Sequence, residues 1–380
     1  MGRVAILTLF YRNYNYGGVL QGYALKKTIE KESGNTVDIL RYKDGKNPIY
    51  SNVIEQSKQY GFKAFFSKIF EKILEKCSFI INRKIGTRFA KFDQFIDECV
   101  NKDGVEYTDD NISQTLEKYD TYISGSDQVW NPNCIRNGFL QAFVPENKTK
   151  VSYAASIGRS RLSDKELSIM APQIEKFDYI SVRENTAKNI LENKINKNIK
   201  VVCDPVFLLD KDEWDIDAPV DGLESDKYIL FYSFSDSKKY RKKVKKICEE
   251  NGKDLVYIPY AKQKFNLYDN KGPGQKLFDI GPKEFVWLIK NANCIYTDSF
   301  HGTALSIIFR KNFFVFERDS KKNNTSMNSR IYDLLNKVDL RERIISDIKN
   351  NNIDIDYNII DINLSKYIEN SLEYLKKALS

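Results

Sequence analysis

Short apolar runs alternate with segments of helical period along most of this chain, and that alternation restricts the possible folds more than any other feature. Val4 to Phe10 is an apolar run, the polar stretch Asn13 to Gly18 breaks it, and Leu20, Ala24, Leu25 and Ile29 follow at helical spacing. The order is strand, glycine-containing loop, helix. A second short strand over Thr36 to Leu40 completes a βαβ unit of the kind that opens a doubly wound parallel sheet.

Further strands are expected at Thr121 to Ser124, Val151 to Ala155, Tyr179 to Val182 and Val201 to Val202, each followed by polar or glycine residues. A polar stretch over Asp210 to Asp226, with Pro219 and Gly222, has the composition of a linker. The same βα rhythm then resumes, with strands at Tyr228 to Phe234, Asp254 to Ile258, Cys294 to Thr297 and Phe313 to Phe316 and helices starting near Lys238, Pro282 and Gly302. A final helix runs from Ser365 to Leu379. With 380 residues, the chain exceeds one ordinary core, since domains run to roughly 100–200 residues. The expected class is therefore α/β, two Rossmann-like lobes facing a cleft. Residues 1–218 form the first lobe and 226–345 the second, and a helical tail over 346–380 packs back on the first.

The apolar fraction of 42% fills two such cores and excludes global disorder. A net charge of +8 is spread along the chain and calls for no nucleic-acid partner. Basic residues are denser over Lys63 to Lys91 and Lys238 to Lys246, where a solvated helix face explains them. Phe62, Phe65, Phe66, Ile69, Phe70, Ile73 and Leu74 form one face of a basic amphipathic helix within residues 60–99. That helix fits packing against the lobe, and it also leaves a peripheral contact with an anionic membrane surface open. Six cysteines without a Cys-x-x-Cys pair and a single histidine provide no zinc-type ligand set, so no metal is expected. A reduced, cytoplasmic setting is expected. The N-terminal apolar run meets Arg12 at once and reads as a strand rather than a leader, and no run of about 18 apolar residues exists.

Chemistry is expected at the carboxyl ends of the strands. The segment Tyr296-Thr297-Asp298-Ser299-Phe300-His301-Gly302-Thr303 runs from strand through a polar turn into a helix and carries the chain's one histidine. His301 fits either a polar cap or a group beside an anion held at the helix start, and Gly302 lets an anion approach the backbone. Its place at a strand end favours the functional reading. Arg183, in Ser181-Val182-Arg183-Glu184, leaves the sheet edge and suits either bidentate binding of an oxyanion or an ion pair with a neighbouring acid. Asp127, Gln128 and Trp130, in Ser124-Gly125-Ser126-Asp127-Gln128-Val129-Trp130, suit a sugar, although a buried tryptophan with capping neighbours has the same composition. Asn15-Tyr16-Gly17-Gly18-Val19-Leu20-Gln21 is a loop open to close backbone approach.

Taken in order and spacing, these segments resemble the polysaccharide pyruvyl transferase family across nearly the whole chain. Ser152-Tyr153-Ala154-Ala155-Ser156, Asp204-Pro205-Val206 and Asn328-Ser329-Arg330-Ile331 add to the match. The resemblance implies a glycosyltransferase-B-like fold and phosphoenolpyruvate as co-substrate, with no cofactor. The acceptor it implies is an oligosaccharide or lipid-linked glycan, and the product is an acidic ketal on an envelope polysaccharide or its precursor. It also implies His301 and Arg183 as the catalytic pair, with His301 as general acid. Ser299, Gly302, Thr303 and Arg330 are expected on the donor side, in the second lobe. Asn15, Gly17, Gly18, Gln21, Asp127, Gln128 and Trp130 are expected on the acceptor side. Asp127, Asp298 and Glu184 all qualify as the base. A cytoplasmic enzyme working at the inner face of the membrane would fit this chemistry. Two alternatives use the same cleft: a glycosyltransferase taking a nucleotide sugar, and a non-catalytic glycan-binding subunit.

Overall fold

A computed structural model describes residues 2–43, 45–49, 84–101, 104–234, 238–259, 272–318, 328–345 and 355–380. Its first sheet contains β1 (Arg3–Leu7), β2 (Thr36–Ile39), β5 (Thr121–Ser124), β6 (Thr149–Ala155), β7 (Tyr179–Val182) and β8 (Ile199–Val201). The strands lie in the order β2-β1-β5-β6-β7-β8 and all pair in parallel. A two-stranded ladder of β3 (Arg41–Tyr42) and β4 (Glu106–Tyr107) lies apart from it. The expected strand through Phe10 stops at Leu7, because its neighbour β5 stops at Ser124 and the two leave the sheet together as turns.

The second sheet contains β9 (Tyr228–Tyr232), β10 (Asp254–Tyr257), β11 (Gln275–Lys276), β12 (Cys294–Thr297), β13 (Asn312–Phe316) and β14 (Ile344–Ile345). Its order, β11-β10-β9-β12-β13-β14, is parallel throughout and reproduces the doubly wound 3-2-1-4-5-6 arrangement. Both sheets are buried on both faces, which is why their strands read as nearly uninterrupted apolar runs rather than alternating ones.

Helix α1 (Tyr16–Ser33) begins where Asn15 accepts hydrogen bonds from the amides of Gly17 and Gly18, and it stops at Gly34, which takes the left-handed conformation with φ 65°. Residues 60–83 of the expected amphipathic helix lie outside the described residues, and the membrane contact suggested for it lies there too. From Lys84 the chain forms α2 (Lys84–Phe95), which buries Ile85, Arg88, Phe92 and Phe95. Among the described residues the further α-helices are α3 (Asp164–Ile174), α4 (Asn185–Glu192), α5 (Lys238–Asn251), α6 (Pro282–Asn291), α7 (Phe300–Ile308), α8 (Ser329–Lys337) and α9 (Tyr357–Leu379).

One apolar cluster runs through both halves, from Val4, Ile6 and Leu20 to Leu230, Phe285 and Ile295. Tyr16 stacks on Phe285 with ring centroids 4.2 Å apart, and its hydroxyl donates to the Ile280 carbonyl at 2.7 Å. The fully buried Arg88 donates to the carbonyls of Pro259 (2.6 Å) and Leu277 (2.7 Å), so a helix of the first half caps strand ends of the second. Within the polar connecting stretch, Trp214 is fully buried beside Tyr23 and anchors the crossing. Helix α9 touches both halves. Tyr367 donates to the Val202 carbonyl at 2.8 Å and Tyr374 to that of Ser152 at 2.8 Å, while Tyr357 donates to the Lys311 carbonyl at 2.7 Å. Among the described residues, no helix is long and apolar enough to cross a membrane.

Candidate active site

The carboxyl ends of β5, β7 and β8 converge on one buried carboxylate. Asp204, just beyond β8, caps the short turn Pro205–Leu208 by accepting from the Val206 amide. Its Oδ2 also accepts from Arg183 Nη1 at 2.6 Å and from Ser126 Oγ at 2.8 Å. Burial alone would raise the Asp204 pKa, but the adjacent charges of His301 and Arg183 outweigh it and hold the carboxyl well below the usual range. Arg183 is buried as well. Burial opposes its charge, yet Asp204, Glu184 and Asp127 together raise its pKa. Its guanidinium lies 4.3 Å over the Phe300 ring, a flat cation–π contact that orients the fork.

The second half contributes His301, in the first turn of α7. The side chain of Ser299 caps that helix through the Gly302 amide at 3.2 Å. His301 Nε2 points at Asp204 Oδ2 from 3.6 Å, beyond hydrogen-bond length. The other side of the ring lies on the backbone of Gly17, where an added Cβ would come within 1.9 Å of Nδ1. A glycine is required at position 17 because the histidine of the opposite half occupies the space of its side chain.

Arg330, on α8, closes the group. Its Nη1 is 4.0 Å from Asp127 Oδ1, and Arg183 Nη2 is 3.9 Å from the same oxygen. Burial, followed by repulsion from the Arg183 charge, brings the Arg330 guanidinium down to about 10. Asp127 stands at φ 67°, in the left-handed region that residues with side chains adopt rarely. Four buried nitrogens in this group have no hydrogen-bond partner: Arg183 Nε and Nη2, Arg330 Nε and His301 Nε2. Buried donors are ordinarily satisfied, and two mutually repelling guanidinium groups with idle N–H groups describe a site that an oxyanion would neutralise.

Several expected site residues take other roles. Trp130 offers no face to a sugar: its ring is fully buried against Phe177, and its Nε1 donates to the Phe139 carbonyl, as its apolar surroundings require. Gln21 is likewise buried inside α1, donating to Thr8 Oγ1 and the Gly18 carbonyl. Asn15 serves as the cap of α1, Gly18 faces the Leu9 carbonyl, and the half-buried Gln128 accepts from Asn131. The amides of Gly302 and Thr303 are occupied by Ser299, through its hydroxyl and its carbonyl respectively. Gly302 is needed because a Cβ there would press on Thr297 Oγ1 at 2.8 Å.

Of the three candidate bases, Asp298 is fully buried and accepts from Ser233 Oγ and the Phe234 amide. Glu184 Oε1 accepts from Ser156 Oγ and the amides of Ile157 and Gly158. Asp127 is buried too, but with a side chain 10% exposed it is the least enclosed of the three. The central role of Asp204 was missed from the sequence, although an Asp-Pro pair directly after a strand is a capping signal that places a carboxylate at the sheet edge.

The architecture matches solved glycosyltransferase-B-like structures. A UDP-GlcNAc 2-epimerase from Neisseria meningitidis, solved with UDP-GlcNAc, superposes with a TM-score of 0.51 at 10% identity, covering 100% of this chain and 94% of that one. The UDP-GlcNAc 2-epimerase from Methanocaldococcus jannaschii gives a TM-score of 0.51 at 14% identity, covering 97% and 91%. At such identities the likeness is one of fold. No curated protein matches the chain in sequence. The family model described as polysaccharide pyruvyl transferase matches residues 15–320, a span that takes in β5, β7, β8, β12 and the start of α7, and the chain belongs to that family.

Proposed function

We propose that this protein transfers the pyruvyl group of phosphoenolpyruvate to a sugar of an envelope polysaccharide or its lipid-linked precursor, forming a ketal and releasing phosphate. The observation that carries this reading is the convergence of idle buried donors from Arg183, Arg330 and His301. Phosphoenolpyruvate brings a phosphate and a carboxylate, two oxyanions for two guanidinium forks.

In the reaction, the enol methylene takes a proton and becomes a methyl group, while two sugar hydroxyls add to the adjacent carbon and phosphate leaves. Of the two hydroxyl protons, one balances the new C–H bond and the other departs with phosphate. His301 acts as the general acid toward carbon. Arg183 and Arg330 hold the donor and stabilise charge as the phosphate leaves. Asp127 takes the hydroxyl proton, since it is the least buried of the three, while Asp298 and Oε1 of Glu184 accept hydrogen bonds from the protein. No step requires a metal or organic cofactor. The work would take place on the cytoplasmic face of the membrane, where a lipid-linked acceptor presents its sugar.

The test is to incubate the purified chain with labelled phosphoenolpyruvate and a panel of oligosaccharides, and in parallel with nucleotide sugars. Acceptor-dependent phosphate release with label in the glycan is expected. Transfer from a nucleotide sugar instead would reassign the site to glycosyl transfer, and glycan binding without any turnover would leave a binding subunit.

A further inference from the structure

Gly17, Gly18 and Gln21 are buried within α1, so the segment expected to meet the acceptor does not face open space. Residues 11–15, just before it, are partly exposed. Residues 8–15 leave the carboxyl end of β1, where the order of the sheet reverses between β2 and β5, the position at which open α/β sheets receive ligands. A cavity of about 340 Å³ opens there, lined by Tyr11, Arg12, Tyr14, Arg41, Asp93 and Asp97. Arg12 and Tyr14 are held at φ 50° and 47°, values that residues with side chains adopt rarely. The Tyr14 ring is set rigidly by stacking on Phe89 with centroids 4.0 Å apart.

Resting on the transferase reading above, we propose that this groove is the acceptor subsite and that it holds an uncharged pyranose ring of the glycan next to the one that is modified. Charges of both signs line it, which disfavours a strongly anionic ligand such as a nucleotide and suits neighbouring hydroxyls that both donate and accept. A half-exposed tyrosine supplies the apolar face that a sugar ring needs. The groove and the reacting centre share one stretch of chain: Tyr14 precedes the cap residue Asn15, and Gly17 lies against His301. Tyr14 therefore ties the groove to the helix start on which His301 lies.

Saturation-transfer NMR on the full chain, with the methyl glycosides of galactose, glucose, mannose and N-acetylglucosamine as probes, tests this. Saturation of at least one sugar is expected. Tyr14→Ala and Asp93→Asn are each expected to weaken it at least about tenfold, while phosphoenolpyruvate affinity, read by calorimetry, stays unchanged. Asp93 is exposed, so its variant remains informative even where Tyr14→Ala fails to fold. Absence of saturation for every sugar, or equal saturation in the folded variants, overturns the groove. A wild-type chain that binds sugar but not phosphoenolpyruvate overturns the transfer reading and leaves the groove standing.

Discussion

Arg183 has one of its nitrogens hydrogen-bonded to Asp204 and two without a hydrogen-bond partner, and this division makes it irreplaceable by lysine. In Arg183→Lys the single ammonium, held on Asp204, lacks the planar fork that would reach the donor at the same time. Affinity for phosphoenolpyruvate should fall by about 1–3 kcal/mol with the fold retained, which calorimetry and circular dichroism will check together. Unchanged affinity would make Arg183 a purely structural ion-pair partner. At His301 the same separation is sharper. His301→Asn keeps a polar group in the first turn of α7 and should fold, but it has no proton to give, so turnover should fall by about 10²–10⁴. A variant with near wild-type turnover would remove His301 from the chemistry. Both residues could be picked out from their sequence positions at strand ends. Trp130 could not be resolved that way, because a core tryptophan and a sugar platform have the same local neighbours and only the packing of Phe177 and Phe139 around it tells them apart.

Among elements, the decisive contact is between the starts of α1 and α7, which come from opposite halves. Gly17→Ala puts a methyl group where the His301 ring lies, so the ring must shift. A displacement near 1 Å in a catalytic group costs about 10²-fold in rate. Turnover should therefore fall far more than thermal stability, and equal losses in both would show that the glycine serves folding alone. Helix α9 acts on the other side of the site. The Ser371 hydroxyl accepts from the Cys203 amide at 2.9 Å and so steadies the residue before Asp204. Ser371→Ala leaves that buried amide without a partner, and urea denaturation should register a loss of about 1–3 kcal/mol. A loss near zero would mean the amide finds another acceptor. The sequence shows α9 as an amphipathic helix but contains no mark of which loop it grips, since that depends on where both halves bring their edges.

At the scale of the whole molecule, the active group is assembled from the ends of four parallel strands, and the carboxylate that joins them titrates far from neutrality. Asp204 has a folded pKa depressed below the unfolded value of about 3.9. Its stabilising contribution is therefore complete above the unfolded value and is lost only as pH falls through the folded one. Removing it in Asp204→Asn takes from the buried Arg183 charge its one hydrogen-bonded counter-ion and leaves only the more distant Glu184 and Asp127, at a cost of about 3–5 kcal/mol. The stability gap between wild type and variant should stay level from neutral pH to about pH 5 and narrow only in stronger acid. A gap that closes near neutrality would show that another group controls this coupling.

The alternation of apolar runs with helical periods determined the class of fold by itself, because a strand buried on both faces and a helix with one apolar side are written in local spacing. The βα order also implied parallel sheets, and the positions of His301 and Arg183 at strand ends marked candidates, while Arg330 came from the family resemblance. Tertiary structure alone decided which of them meet. Asp204 became the centre because β8 lies beside β7, Gly17 became necessary because α7 crosses from the other half, and Trp130 left the site because the core closed over it. Each of these depends on contacts between residues distant in the chain, and such contacts leave no trace in the residue types immediately around them.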